Sequence, residues 1–474
     1  MDINSQEHIK SIAPDISKAY QLGRKQKYNE AYQILLPYFE AKEIPTFFEE
    51  VCGWTIYRYL KINESELSSR EKRNILAYYM AFASCKPSVM HSYIMVQAVN
   101  LEKKHENDFR FIEFCQMWKL ENLRDEDFIS AKGTTENGKS IEFQSLAENV
   151  ATRLYKELKS RHTEEFVNDL FPFFLTIKEK CPGNRFIGMY IAQLYYWLND
   201  IEKAISEYKK ILRTAPEWFI WKHLGDICED TDIKISMYCK AMTMMGKGEY
   251  IGELRLNLAS LLLEQNKEHA AYEIEQYMKT YKENGWKISG DVYLLQSKVQ
   301  GIVPSTQARQ FYRDNIEKAE DFAYSDIPVE ELTYNGIVTN HAGKEKASLV
   351  NKRKKIFVRT SLTPQLRKAN VGDVFLVRVY EYQKRTIALT IHPTDKKNVQ
   401  STNTHSTKQG NEAIVIVSGV VSFPAQGEFC FIDRQYFVPE KLTKANYLKA
   451  GDLVRAKAVK MPDGRWRVVS IIKE

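Results

Sequence analysis

Residues 185–225 read RFIGMYIAQLYYWLNDIEKAISEYKKILRTAPEWFIWKHLG. Apolar residues recur in this stretch three and four positions apart, which is the period of an amphipathic helix. Small residues such as Ala192 and Ala204 let two helices cross closely, and Pro216 ends the pattern. The stretch therefore predicts a pair of packed helices. The helical period continues, with little proline, through the first 325 residues.

The helix pair resembles a tetratricopeptide repeat, a unit of about 34 residues with small or apolar residues at fixed positions. The residues on those positions are Ala192, Tyr195, Ala204, Tyr208 and Pro216, and the next unit opens with Trp221-x-x-Leu224-Gly225. Residues 19–40, with Ala31, and residues 256–278, with Ala259 and Ala271, resemble the unit less closely. The resemblance implies a solenoid over residues 1–325 whose surface docks a protein partner.

After residue 328 the apolar period changes to two, as in DVFLVRVY (373–380) and DLVRAKAV (452–459), which predicts β-strands. The two halves of this region also match each other. The matching segments are Asn335–Val338 with Ser418–Val421, Ile356–Val358 with Tyr436–Val438, and Val371–Asp373 with Ala450–Asp452. We therefore expect a duplicated domain at 328–394 and 412–474, joined by a polar, flexible linker at 395–411.

The second copy resembles a cold-shock domain, a five-stranded OB barrel that binds nucleic acid. The resemblance lies in GVVSFPAQGEFCFI (419–432), YFVPEKL (436–442) and LKAGDLVRAKAV (448–459). It implies that Phe423, Phe429, Phe431 and Phe437 stack on bases, and Arg434, Lys441, Arg465 and Arg467 are the predicted phosphate contacts. Residues two apart on a strand share a face, so the Phe429 and Phe431 rings lie either on the outer surface or inside the barrel.

The first copy carries no aromatic residue at the matching strand, which reads Ala347-Ser348-Leu349-Val350. It has instead a basic run, Lys352, Arg353, Lys354 and Lys355, followed by Phe357 and Arg359. These residues predict binding directed at the nucleic-acid backbone. The alternative is a run of solvated charges in a hairpin.

The charge distribution of the chain agrees with a nucleic-acid partner for the C-terminal region. Residues 331–474 contain 25 Lys and Arg against 12 Asp and Glu, a net charge of +13, whereas residues 1–330 have a net charge of −6. A basic region on an acidic body predicts a polyanion partner for that region alone.

Other classes of function lack support in the sequence. No apolar run approaches the roughly 18 residues that a membrane span needs, and the seven cysteines are scattered singly without a C-x-x-C pair. This pattern indicates a reducing, cytoplasmic location and disfavours disulfides and cysteine zinc sites. We find no catalytic constellation and no metal-ligand spacing, so we expect no enzyme activity, no cofactor and no metal.

Residues 133–140 match a nucleotide-binding motif. Gly133, Gly138, Lys139 and Ser140 spell G-x-x-x-x-G-K-S, a phosphate-binding loop if a buried strand precedes it and a helix begins at the lysine. The preceding residues are polar, and Ser145-x-x-Glu148 is a capping box that places the helix start further on. The motif is therefore interpreted as a β-hairpin or loop between helices, and nucleotide hydrolysis is kept as a minor alternative.

The sequence thus predicts a multidomain α + β protein, a helical repeat solenoid followed by two small OB-like barrels. We expect a non-catalytic adaptor that binds single-stranded RNA or DNA through residues 331–474 and a protein through its helices. The domain arrangement resembles that of tetratricopeptide/cold-shock fusion proteins in prokaryotic conflict systems of the TOTE type, which implies a role in defence. The alternative is a protein–protein scaffold without nucleic-acid binding.

Overall fold

The structure is a computed structural model in which two compact units are recognised. It describes residues 3–104, 109–135, 138, 140–245, 251–339, 345–359, 364–383, 385–397, 415–424, 428–461 and 465–472. One unit comprises residues 1–332, 351–363 and 375–392, and the other comprises residues 333–350, 364–374 and 393–474. The predicted order of structural classes, helices first and strands last, is confirmed.

Helices occupy residues 6–323 almost continuously. The first eight are α1 (Gln6–Arg24), α2 (Tyr28–Ala41), α3 (Glu49–Ile62), α4 (Ser69–Phe82), α5 (Val89–Lys104), α6 (Phe111–Trp118), α7 (Leu146–Arg161) and α8 (Glu164–Lys180). The remainder are α9 (Arg185–Trp197), α10 (Ile201–Thr214), α11 (Trp218–Ile227), α12 (Thr231–Met244), α13 (Gly252–Leu262), α14 (Lys267–Glu283), α15 (Gly290–Lys298), α16 (Ala308–Asp314) and α17 (Glu317–Ala323).

Successive helices pack as pairs at the positions that the sequence singled out. Ala192, Ala204 and Ala259 are fully buried, so small side chains stand where helix axes approach. Gly225 on α11 shows the constraint most directly, because an added Cβ would lie 2.8 Å from the Tyr238 ring on α12. The helical region therefore consists of repeat-like helix pairs around one continuous apolar core.

Strands β1 (Ala131–Thr134) and β2 (Ser140–Phe143) form the hairpin that the sequence predicted at the G-x-x-x-x-G-K-S motif. Gly133 lies opposite Ile141, and a Cβ on Gly133 would stand 2.7 Å from the Phe143 ring. Lys139 lies outside the described residues. Because α7 begins only at Leu146, the glycines do not lead directly into a helix N-terminus.

The start of α7 confirms the predicted capping box. The Ser145 hydroxyl accepts a hydrogen bond from the Glu148 amide at 3.2 Å, and the Glu148 carboxylate accepts one from the Ser145 amide at 2.7 Å. Two amide donors that the first helical turn leaves without partners are satisfied in this way.

The first set of C-terminal strands forms a five-stranded sheet. Its strands are β3 (Val329–Thr339), β4 (Glu345–Val350), β5 (Lys355–Arg359), β6 (Asp373–Tyr382) and β7 (Arg385–Lys397), in the order β5-β4-β3-β6-β7. Strands β3 and β4 pair antiparallel, with Tyr334 opposite Leu349. Strand β7 extends three residues into the predicted linker, and residues 398–411 lie outside the described residues.

The second set closes into a five-stranded barrel. Its elements are β8 (Val415–Ser422), β9 (Cys430–Ile432), β10 (Tyr436–Val438), the short helix α18 (Glu440–Ala445), β11 (Leu453–Lys460) and β12 (Trp466–Ile472). The strand order around the barrel is β10-β12-β11-β8-β9, and the parallel pair β10–β12 closes it. Both sets therefore follow one neighbour order, as expected of a duplication, and closure is described for the second set.

The two sets also share one turn geometry. Gly372 and Gly451 have φ angles of 99° and 93°, a conformation that favours glycine. The carboxylate of Asp373 accepts a hydrogen bond from the Asn370 amide at 2.7 Å. In the second set, the carboxylate of Asp452 accepts one from the Lys449 amide at the same distance.

A buried carboxylate joins α12, α17 and β7. The Glu320 side chain lies 2.5 Å from the ammonium of Lys240 and 2.7 Å from Nε2 of His392. Burial works to raise the pKa of Glu320, but His392 and Lys240 outweigh it, so this pKa is lowered. The neighbouring Glu320 carboxylate in turn raises the pKa of His392.

Among the described residues, none of the helices combines the length and apolar character that crossing a bilayer requires.

Candidate nucleic-acid interface

Three phenylalanine rings lie on the outer surface of the closed barrel. Alternation along β9 places Cys430 and Ile432 in the core with no exposed surface, so the Phe431 ring between them faces outward. On β10 the same alternation buries Val438 and turns Phe437 outward. Phe429, just before β9, is half-buried. Of the two orientations that the sequence left open, the structure has the outer one.

The three rings form a compact cluster. Their centroids are 5.8 Å apart for Phe429 and Phe431, 5.4 Å for Phe429 and Phe437, and 5.8 Å for Phe431 and Phe437. The Phe431 and Phe437 planes meet at 62°, an edge-to-face arrangement that leaves part of each ring surface open. We refer to Phe429, Phe431 and Phe437 as the phenylalanine cluster.

Strand register extends the phenylalanine cluster into a row across the barrel. Phe431 lies opposite Ser422 on β8 and opposite Phe437 on β10, and Phe437 lies beside Arg467 on β12. Arg467 is exposed. A hydroxyl, two aromatic rings and a guanidinium are therefore aligned on adjacent strands. This combination suits a single strand of nucleic acid, because rings stack on bases and the cation contacts phosphate.

The other predicted residues of the second copy lie around this row. Phe423 follows β8 and is 38 % exposed. Arg434 is exposed in the turn between β9 and β10, Lys441 is exposed on α18, and Arg465 is exposed just before β12. The structure thus brings Phe429, Phe431, Phe437 and Arg467 together. Phe423, Arg434, Lys441 and Arg465 lie on the segments around them.

Two further cations on β11 were missed by the sequence reasoning. Arg455 and Lys457 are exposed and alternate with the buried residues Ala456 and Ala458. The alternation in DLVRAKAV contained the signal, because the residues between buried alanines must face outward. These side chains add positive charge to the outer surface of the barrel.

The β9–β10 turn is fixed by a close contact with β8. Asp433 accepts a hydrogen bond from the Val420 amide through Oδ1 at 2.8 Å, and its own amide donates to the Val420 carbonyl at 3.0 Å. A Cβ at Gly419 would stand 2.1 Å from the Asp433 carboxylate. The glycine therefore allows the turn to approach β8, which sets the position of Phe431 and Phe437 on either side of the turn.

The corresponding surface of the first copy differs. On β4, Ala347, Ser348 and Leu349 have no exposed surface. None of the β4 residues, Glu345–Val350, is aromatic. The first copy therefore cannot present an aromatic surface equivalent to the phenylalanine cluster.

The basic run of the first copy forms a tight turn whose cations are not equivalent. The Asn351 side chain accepts hydrogen bonds from the amides of Arg353 and Lys354, both at 2.9 Å. The Lys354 ammonium lies 2.5 Å from the Glu330 carboxylate, and both side chains are half-buried. Lys352 and Arg353 are exposed at the tip. Lys354 is thus held by a structural ion pair, whereas its neighbours face solvent.

Three predicted residues share the exposed face of β5. Lys355, Phe357 and Arg359 are exposed and alternate with the buried Ile356 and the half-buried Val358. The Lys355 ammonium lies 5.3 Å from the centroid of the Phe357 ring, which is 48 % exposed. A ring flanked by two cations can contact both a base and the phosphates beside it.

Within the ranges that the structure describes, no group of three or more His, Cys, Asp or Glu side chains is arranged to hold a metal ion.

Comparison with known proteins adds one match. The family model described as "Domain of unknown function (DUF7017)" matches residues 185–319, which run from the start of α9 into α17. No curated protein matches the chain.

Proposed function

We propose that this protein is a non-catalytic adaptor that binds single-stranded RNA or DNA through its C-terminal strands and a protein partner through its helices. The observation that carries the nucleic-acid part is the phenylalanine cluster, in register with Arg467. Apolar rings on the outside of a small barrel lower its solubility unless they serve a contact. Stacking on bases gives them one, at about 1–3 kcal/mol per base.

The fold assignment within this proposal is that of two OB-like, cold-shock-type domains after a tetratricopeptide-like solenoid. The shared neighbour order of the strands and the closure of the second set support it. The buried alanines at the repeat positions support the solenoid. A cytoplasmic location and a role in prokaryotic defence complete the proposal, the second by analogy of domain arrangement.

The two copies take different roles in this proposal. The second copy holds bases through the phenylalanine cluster, whereas the first contributes mainly charge through Lys352, Arg353, Lys355 and Arg359. Charged contacts to a backbone carry little sequence information. We therefore expect binding that depends on salt and tolerates sequence changes.

The alternative is a protein–protein scaffold whose barrel surface binds protein, since exposed aromatic residues also occur at protein interfaces. Fluorescence-anisotropy titration of the full-length protein with labelled single-stranded RNA and DNA, at several salt concentrations, separates the two. The nucleic-acid proposal expects binding whose affinity falls linearly with the logarithm of salt concentration. Absence of binding at low salt favours the scaffold.

A further inference from the structure

An aromatic and cationic surface lies on the N-terminal helices, within the first unit. Trp54, Tyr57, Arg58 and Lys61 follow one another on α3 at spacings of three, one and three residues, which places them on one helix face. Tyr93 on α5 joins them, with its ring centroid 5.6 Å from that of Trp54 and 4.9 Å from that of Tyr57. We refer to these five residues as the α3 patch.

The Met90 side chain of α5 packs directly over Gly53 of α3. A Cβ on Gly53 would lie 2.3 Å from Sδ of Met90, so the glycine leaves room for the methionine in its present position. Tyr93 stands three residues after Met90, about one turn along α5, and therefore reaches the rings on α3. Tyr93 remains 41 % exposed although it contacts two other rings.

The cations of the α3 patch are held by rings. The Arg58 guanidinium lies 5.4 Å from the Tyr28 ring centroid and 5.6 Å from that of Trp54, and the Lys61 ammonium lies 5.9 Å from that of Tyr57. Over the part of the chain that the structure describes, neither cation forms a salt bridge with a carboxylate. Both are therefore positioned and still able to pair with an external anion.

The geometry points to an acidic peptide segment of a partner protein as the ligand of the α3 patch. Trp, Tyr and Arg are the residues that dominate binding energy at protein interfaces, and two cations without carboxylate partners complement acidic side chains. A nucleic-acid strand fits less well, because Trp54, Tyr57 and Tyr93 pack against one another and Arg58 and Lys61 already lie over two of these rings. Little ring surface is left for a base to stack on.

This inference rests on the protein-docking part of the proposed function, for which it supplies a position and a class of partner. The carboxylates of the peptide pair with Arg58 and Lys61, and an apolar side chain of the peptide packs against the exposed part of Tyr93. Because the interaction combines charge with ring contact, it loses affinity with added salt but is not abolished by it.

Selection of short random peptides displayed on phage against the immobilised full-length protein tests the inference. We expect enriched peptides to be rich in Asp and Glu around an apolar residue. Synthetic versions should bind roughly tenfold more weakly to the R58A/K61A variant and to Tyr93→Ala. The variant K287A/K298A removes the same charge from exposed positions outside the α3 patch and should bind like the parent.

Each other outcome overturns the inference. If enriched peptides lack acidic residues, or bind R58A/K61A as well as the parent, then the partner docks elsewhere on the helices and only the position fails. If no peptide is enriched, the protein-docking part of the proposed function fails with it. If a single-stranded oligonucleotide displaces the peptides from the parent, the α3 patch is a nucleic-acid surface instead.

Discussion

Phe437 on β10 lies directly opposite Phe431 on β9, and both rings face away from the barrel core. The double variant F431A/F437A should therefore retain the barrel, whose core includes Cys430, Ile432 and Val438 but neither of these two rings. We expect it to bind single-stranded nucleic acid at least about thirtyfold more weakly, since each of the two lost stacks costs about 1–3 kcal/mol. Anisotropy titration measures the loss.

The control for this experiment is Tyr447→Ala. Tyr447 is 85 % exposed and lies after α18, outside the phenylalanine cluster. Its removal should leave affinity unchanged. Equal losses in both variants, or an F431A/F437A barrel with parent-like affinity, would count against stacking at the phenylalanine cluster.

Lys354 and Lys355 are adjacent but should behave differently. Lys355 is exposed beside the Phe357 ring, whereas Lys354 is paired with Glu330. If Lys355 contacts phosphate, Lys355→Ala should reduce the slope of log affinity against log salt by about 0.7 for a single strand. Lys354→Ala should leave that slope near the parent value and lower the unfolding temperature instead. The reverse order of effects would show that the ion pair opens on binding.

Gly419 should tolerate no side chain while Asp433 is present. In Gly419→Ala the new Cβ meets the Asp433 carboxylate, so either the carboxylate moves and leaves the Val420 amide, or β8 shifts. We expect destabilisation of about 1–3 kcal/mol by chemical denaturation. Because Asp433→Ala removes the obstructing group, the double variant G419A/D433A should be more stable than the sum of the single effects. Additive effects would mean that the contact is not limiting.

The Glu320–His392 contact predicts a pH dependence of stability. The Glu320 carboxylate raises the folded-state pKa of His392 above the ordinary value of 6.5. Protonated His392 therefore makes its full contribution to the stability of the folded state below pH 6.5. This contribution is lost as the pH rises through the raised pKa of His392. Glu320 has a lowered pKa, so its own contribution is lost only as the pH falls into the acidic range.

Unfolding temperatures recorded across this pH range test the contact. The His392→Asn variant should lose the decline that the parent shows as the pH rises above 6.5. His162→Asn is the control, since the His162 ring stacks on Trp197 at 4.6 Å, and it should keep the parent profile. A parent-like decline in the His392 variant would assign the pH dependence to another group.

The G-x-x-x-x-G-K-S motif should not bind nucleotides. Gly133 pairs within the β1–β2 hairpin, and α7 begins six residues after Ser140. Titration of the full-length protein with a fluorescent ATP or GTP analogue should give no saturable binding, with Lys139→Ala as the matched variant. Saturable binding that the variant abolishes would restore nucleotide hydrolysis as a function.

The features that the sequence predicted well are local ones. The capping box joins residues three apart, Ser145 and Glu148, and the hairpin at Gly133 closes over a few residues. The alternation along β9 could be recognised from the sequence too, but the sequence did not show which of the two faces of the strand is buried. That choice depends on Val421 and Val438, whose strands pair with β9 on either side.

The features that escaped prediction depend on distant pairing. Lys354 forms an ion pair with Glu330, which lies 24 positions earlier. The run of basic residues alone could not show which of its cations has a carboxylate partner. Phe437 stands beside Arg467 only because β10 and β12 pair in parallel. The face of α3 was encoded in its helical spacing, but Tyr93 joins it from α5, about forty positions later in the chain, through its contacts with Trp54 and Tyr57.

The parallel pair β10–β12 both closes the second barrel and places Phe437 next to Arg467. It is only two residue pairs long, Tyr436 with Trp466 and Phe437 with Arg467, and among the described residues the β8–β9 pairing is equally short. A ligand that contacts both β10 and β12 would hold the barrel closed, and its binding free energy would be added to the stability of the closed form. Separation of β10 from β12 would part the Phe437 ring from the Arg467 cation and release the ligand. The residence time on nucleic acid and the local unfolding of β10 would then depend on the same event.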